Sequence, residues 1–201
     1  MATMILPDMR LYRPERMEFS IRDSVIVTNN VFGQSYGSVE VGFALWIVTM
    51  RFGSVPREQQ HERAGFFAGL RGRVNRLRLW QIDQPQPFGT LRGSPVLAAT
   101  ALQGATTASI NNAGQGLTLK RGDMIGINGM LCIVRDNSVS NAGTMTVTFE
   151  PPLRKPAPTG TPVVWDRPSA LFMLDTSSIV MPFEPRVSPG FVVSLMEDME
   201  L

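Results

Sequence analysis

A chain of 201 residues, 43% hydrophobic and 18% charged, has enough apolar material for a real core and too little charge for a disordered tail. Its formal net charge of +2 is too small to imply nucleic-acid binding by itself. One cysteine, Cys132, excludes an intrachain disulfide, and one cysteine with one histidine, His61, cannot supply an ordinary zinc site.

Residues 1–20 mix Pro7 and Pro14 with charged residues without a clean period and read as an extended arm. Ser24 to Thr28, with Val25, Ile26 and Val27 in succession, reads as a short strand. Asn29, Asn30, Gly33 and Gly37 mark a loop, punctuated by Phe32 and Tyr36. A long strand is expected from Val39 to Met50. Val39, Val41, Phe43, Leu45 and Ile47 share one face, while the opposite face turns apolar at Trp46, Val48 and Met50. Apolarity on both faces means cover on both sides. Trp46 is expected either to pack on Phe67 and Leu70 of its own chain or to be covered by another subunit.

A helix follows, with Ser54 as expected N-cap, Pro56 in the first turn, Glu58 near the N-terminal dipole and Gly72 as the stop. Ala64, Phe67, Leu70 and Val74 make its apolar stripe. The strand Val74 to Ile82 comes next, with Leu77 and Leu79 on one face and Arg76, Arg78 and Trp80 on the other. The concentration of Arg63, Arg71, Arg73, Arg76 and Arg78 reads as a wet face, with ion pairs to a neighbouring copy or phosphate contact as the functional alternatives. Only Trp80 interleaves with it, which does not suit a single-stranded nucleic-acid platform.

Gln84 to Gly93 is rich in proline and glycine and marks a domain boundary. Residues 94–166 read as short strands, among them Val96–Leu102, Gly116–Leu119, Met124–Ile127, Met130–Arg135 and Thr144–Phe149. Asn128-Gly129 is the strongest hairpin signal, since both residues tolerate the positive φ of a type I′ turn. Thr144, Thr146 and Thr148 alternate with Met145, Val147 and Phe149, so one face is wet and one buried. The last segment carries strands at Leu171–Leu174 and Phe191–Met196, a terminal strand that suits pairing beside Val39–Met50. Glu197, Asp198 and Glu200 read as a solvated terminus.

No motif carries chemistry. His61 lies in the polar part of the helix with nothing marking a triad around it. Asn111 to Gly116 lacks the Lys-Ser/Thr and the helix of a phosphate loop, and Arg121-Gly122-Asp123 reads as a turn. No catalytic residue, cofactor or metal is expected. No apolar run reaches membrane-spanning length and no signal peptide is visible, so a membrane is not an expected partner and synthesis in a cytoplasm is. Lys120 and Lys155 are the only lysines, every other basic residue being arginine; that bias suits interfaces and equally a GC-rich genome.

Gly37-Ser38, Trp46, Leu70-Arg71-Gly72, Leu77 to Trp80 and Phe88-Gly89-Thr90-Leu91-Arg92-Gly93 follow one another in an order that resembles small distal-tail, or tail-tip, structural proteins of long-tailed bacteriophages. The resemblance continues through Gly122-Asp123 and Pro151-Pro152-Leu153-Arg154 and covers roughly residues 35–175. The strand and turn pattern itself reads as a mainly β fold with one α-helix: a discontinuous, split-barrel-like ring domain of residues 1–90 completed by 167–201, and a small β-barrel, or a sandwich, inserted or appended at 91–166. The resemblance implies the ring. It further implies a non-enzymatic virion protein at the tail tip, forming a homo-oligomeric ring, commonly a hexamer, with the tail tube protein, the tail hub and other tail-tip proteins as partners. The candidate ring interface is Trp46, Val48, Met50, Arg71, Arg73 and Arg78. A tail-completion or head–tail connector role, a carbohydrate-binding module at the tail tip and, more remotely, a hydrolase are the competing readings.

Overall fold

The computed structural model describes residues 2–7, 10–29, 35–40, 42–176 and 178–199. The chain is mainly β, and Arg57–Ala68 is the one α-helix among the described residues. Backbone proximity divides it into two units, residues 1–20, 46–85 and 167–201, and residues 21–45 and 86–166. Residues 21–45, expected in the ring domain, therefore group with the second unit, as do residues 86–90.

In the first unit a six-stranded sheet runs Thr3–Ile5, Arg76–Trp80, Ser169–Leu174, Phe191–Glu197, Leu45–Phe52, Arg16–Arg22. Its centre is antiparallel: Phe191 faces Phe52, Val193 faces Met50 and Leu195 faces Val48. The terminal strand thus pairs where its alternation suggested. The supposed arm at residues 1–20 instead supplies both edge strands, one of them parallel to Arg76–Trp80. Met17, Phe19 and Ile21 are half-buried and alternate with exposed Glu18, Ser20 and Arg22, the two-residue period of a strand.

The long strand predicted over 39–50 is two strands in different sheets. Ser35–Glu40 pairs with Val25–Asn29, and Leu45–Phe52 joins the six-stranded sheet. The chain breaks around Gly42, where an added Cβ would meet Ser24 Oγ at 3.2 Å. Val41, Asn30, Phe32, Gly33 and Glu200 lie outside the described residues.

The helix begins later than its local chemistry suggests. Val55–Pro56 pairs with Val187–Ser188, so the N-cap is Pro56 rather than Ser54 and no side chain caps it. It ends at Gly69, before Gly72, which takes the left-handed step (φ 64°) of the following turn. Phe67 is the helix's main anchor: its ring lies 5.2 Å from Phe52 and 5.7 Å from Phe191, edge to face with both. Leu70 is buried just beyond the helix, whereas Val74 is exposed.

The second unit holds a nearly closed six-strand barrel, Val163–Val164, Met124–Ile127, Met130–Val134, Met145–Glu150, Thr107–Asn111, Val96–Leu97. Its two end strands meet through a bridge between Val96 and Pro162, with Leu97 N–H donating to Thr161 O and Val163 N–H to Pro95 O, each at 2.9 Å. Asn128 (φ 49°) and Gly129 (φ 79°) turn a two-residue hairpin, and Ile127 faces Met130 across it. The thiol of Cys132 is buried in a cluster running from Leu91 to Val163. Thr107–Asn111, Ser138–Val139 and Val163–Val164 are strands that sequence pattern did not mark. At the junction with the first unit's chain, Arg167 N–H donates to Pro85 O at 2.7 Å, and Gln86 Nε2 donates to Asp166 Oδ1 at 3.1 Å.

Candidate assembly interface

Strand Leu45–Phe52 alternates strictly, with Trp46, Val48, Met50 and Phe52 inward. Trp46 is 3% exposed, and Val48 and Met50 are 0% exposed, within this single chain. This overturns the apolar half of the expected interface: a side chain with no surface left has none to bury against a partner. Trp46 packs edge to face on Phe19 at 5.9 Å, and its backbone N–H donates to Glu197 Oε2 at 3.1 Å. Leu45 and Ile47, on the opposite apolar face, are only half-buried. Both faces of this strand are apolar, so the pattern alone did not say which was inside.

The arginines divide into two classes. Arg63 is buried, donating from Nε to Leu11 O (2.7 Å) and from Nη1 to Gly53 O (2.8 Å), with its guanidinium over the Phe52 ring. Burial lowers its pKa from the ordinary arginine value, opposed by the nearby Glu15 carboxylate and Tyr12. Arg76, expected on a wet face, is buried in a bidentate pair with Asp198 and also donates to Arg73 O at 2.5 Å. Glu197 and Asp198 are thus internal ligands of the sheet, not a solvated terminus. Arg71, Arg73 and Arg78 are exposed. Arg73 reaches Asp175 O and Arg78 reaches Ser169 Oγ at 3.4 Å, while Arg71 sits in the turn after the helix at φ 49°.

The exposed apolar surface lies elsewhere. Hairpin Val25–Asn29/Ser35–Glu40 leaves Val25 48%, Ile26 57%, Val27 52% and Val39 62% exposed. Ile26 and Val39 face each other across the two strands, and consecutive Val25, Ile26 and Val27 point to alternate sides. Each face of the ribbon therefore carries exposed apolar side chains, Val25 and Val27 on one and Ile26 and Val39 on the other. Its chain continues to Ala44, whose carbonyl accepts from Arg154 Nη1 at 3.4 Å, which ties the segment to the barrel.

One cleft in the first unit was not legible in the sequence. A space of about 490 Å³ is lined by Leu6, Pro7, Arg10, Tyr12, Arg13, Trp80, Ile82, Pro85 and Arg167. Arg167 lies over the Trp80 ring, its guanidinium carbon 5.7 Å from the ring centre, and holds a backbone φ of 47°. Arg13 reaches Asp83 at 3.9 Å. The Tyr12 hydroxyl donates to Glu62 at 3.2 Å, and burial, with the Glu62 carboxylate adding to it, raises the phenol's pKa. Arg10, Tyr12 and Arg13 belong to the segment that reads as a featureless arm, and only the fold brings them to Trp80.

His61 stacks on Phe183 at 4.7 Å between ring centres and is exposed on the helix. Among the described residues no helix is long and apolar enough to cross a membrane. No protein-family profile and no curated protein matches the chain.

Proposed function

We propose that the protein is a structural subunit that closes a homo-oligomeric ring, and that the ring is the hexameric distal-tail element of a long-tailed phage virion. The observation that carries this reading is the Val25–Asn29/Ser35–Glu40 ribbon with its exposed valines and isoleucine. An isolated two-stranded ribbon is marginal in water, and one with exposed valines and isoleucine on both faces gains stability from whatever covers them. A head-to-tail ring supplies that cover once per subunit by a heterologous contact that closes on itself. The motif order around Gly37-Ser38, Leu70-Arg71-Gly72 and Phe88 to Gly93 supports the virion assignment. The exposed Arg71, Arg73 and Arg78 are the first unit's contribution to contacts with the tube, the hub or the next copy. Such a ring transmits force between tube and hub and breaks no bonds.

The test is mass. Purified protein at tens of micromolar, a range far above typical specific-interface dissociation constants, runs at about six times the 22.2-kDa subunit. Ile26→Asp with Val39→Asp leaves a folded monomer of unchanged far-ultraviolet dichroism. A monomeric parent protein, or a ring that survives the double substitution, overturns the reading.

A further inference from the structure

The cleft between Arg10 and Trp80 belongs to no ring contact proposed above. Arg10, Arg13 and Arg167 all line it, and of these only Arg13 meets a carboxylate, at 3.9 Å, among the described residues. Two guanidinium charges are left unmatched at one opening. The rest of the lining is apolar or aromatic: Leu6, Pro7, Ile82, Pro85 and the half-buried Trp80. Arginine is the side chain best shaped for bidentate contact with a phosphate or carboxylate, and it stacks on planar groups. A volume of about 490 Å³ lies in the range of small-molecule sites.

The backbone of Arg167 adds an independent observation. Its φ of 47° is in the left-handed region, which costs a non-glycine residue roughly 1 kcal/mol or more, and Arg167 N–H is held to Pro85 O at 2.7 Å. A glycine would occupy this position without strain. The arginine held at this left-handed position places its guanidinium over Trp80, at the mouth of the cleft.

We propose that this cleft is a binding site for a phosphate monoester carried on a ring-bearing body, with Arg10 and Arg167 taking the phosphate and Trp80 with Ile82 and Pro85 taking the ring. A phosphate monoester near pH 7 carries a charge of about −1.5 to −2, which matches the two unpaired guanidiniums. Inorganic phosphate would use the charge but leave the apolar wall empty. A neutral ring compound would use the wall but leave the charges unmatched.

Titration calorimetry of the full chain tests it with adenosine 5′-monophosphate, ribose 5-phosphate, inorganic phosphate and adenosine as probes. Adenosine monophosphate or ribose 5-phosphate binds at least about ten-fold more tightly than inorganic phosphate, as differential use of the apolar wall requires. Preference for the nucleotide assigns the wall to a base, and equal binding of both esters assigns it to the sugar. Arg167→Gly weakens binding about ten-fold while the melting temperature holds or rises, because the substitution removes backbone strain. Arg10→Ala weakens binding to a similar extent. Equal affinity for inorganic phosphate and both esters, no binding at all, or undiminished binding by Arg167→Gly overturns the proposal.

Discussion

Replacing Asp123 with alanine lowers the melting temperature of the barrel by about 15 °C, the shift expected when a unit of this size loses about 3 kcal/mol. Asp123 is fully buried, and its carboxylate accepts three backbone N–H groups: Phe88 (2.7 Å), Gly89 (3.0 Å) and Lys120 (2.7 Å). The carboxylate therefore fastens the segment entering the barrel to the corner at Gly122. The approach is close: a Cβ on Gly89 would stand 2.2 Å from Thr118 O. Alanine leaves the three donors without their shared acceptor, and the buried Gly89 N–H is the one whose desolvation is least recovered by water. Asparagine keeps one acceptor oxygen but turns an NH₂ toward a donor, so it falls between aspartate and alanine. Trp165, whose indole N–H donates to Gly93 O at 2.8 Å, reports the barrel's unfolding separately when Trp46 and Trp80 are replaced by phenylalanine. A shift of the Trp165 transition no larger than that of a surface substitution would count against this account.

Arg76→Ala destabilises the first unit by about 3–5 kcal/mol, the usual result of removing one member of a buried ion pair. The side chains of Arg76 and Asp198 are each 9% exposed, and two guanidinium nitrogens reach both carboxylate oxygens. Alanine strands Asp198 without a counter-charge and leaves Arg73 O without its donor. Asp198→Ala strands the arginine in turn. Arg76→Met with Asp198→Leu, which removes both charges and fills their volume, costs much less than either single change, because the pair's attraction chiefly offsets its own desolvation. Urea unfolding of the two single variants and the double completes the cycle. The exposed Arg78→Ala is the control, within about 0.5 kcal/mol of the parent. Arg76→Ala as mild as that control would mean the pair is not stabilised by burial.

These two sites also mark how far the sequence could be read. Where one face of a strand is polar, alternation settles the structure, as in Met145–Glu150, where Met145, Val147 and Phe149 are buried between more exposed threonines. Local turn chemistry was equally plain at Asn128-Gly129. Leu45–Phe52 defeated the same reasoning because both of its faces are apolar, and the inward one was taken for an interface. Arg16–Arg22 was overlooked as an edge strand whose apolar face is only half-covered, behind Pro14 and a run of charges. Buried Arg63 and Arg76 lay beyond reach altogether. A guanidinium is buried only if carbonyls or a carboxylate receive it, and those of Leu11 and Asp198 come from distant segments of the chain. The cleft at Trp80 needed the same long-range assembly.

The single hydrogen bond from Arg167 N–H to Pro85 O has a consequence for how such a chain can change over time. That bond brings the backbone on either side of residues 86–166 to within hydrogen-bond reach, a gap that a short turn closes. The barrel's buried cluster runs only from Leu91 to Val163, inside the stretch that this gap brackets. Recombination that swaps the barrel or trims it to a tight turn leaves the six-stranded sheet's own connections uncut, at the cost of the contact between Arg154 and Ala44 O. Variation in length and composition across residues 86–166 is accordingly a low-cost route by which a lineage could alter the barrel while keeping the six-stranded sheet.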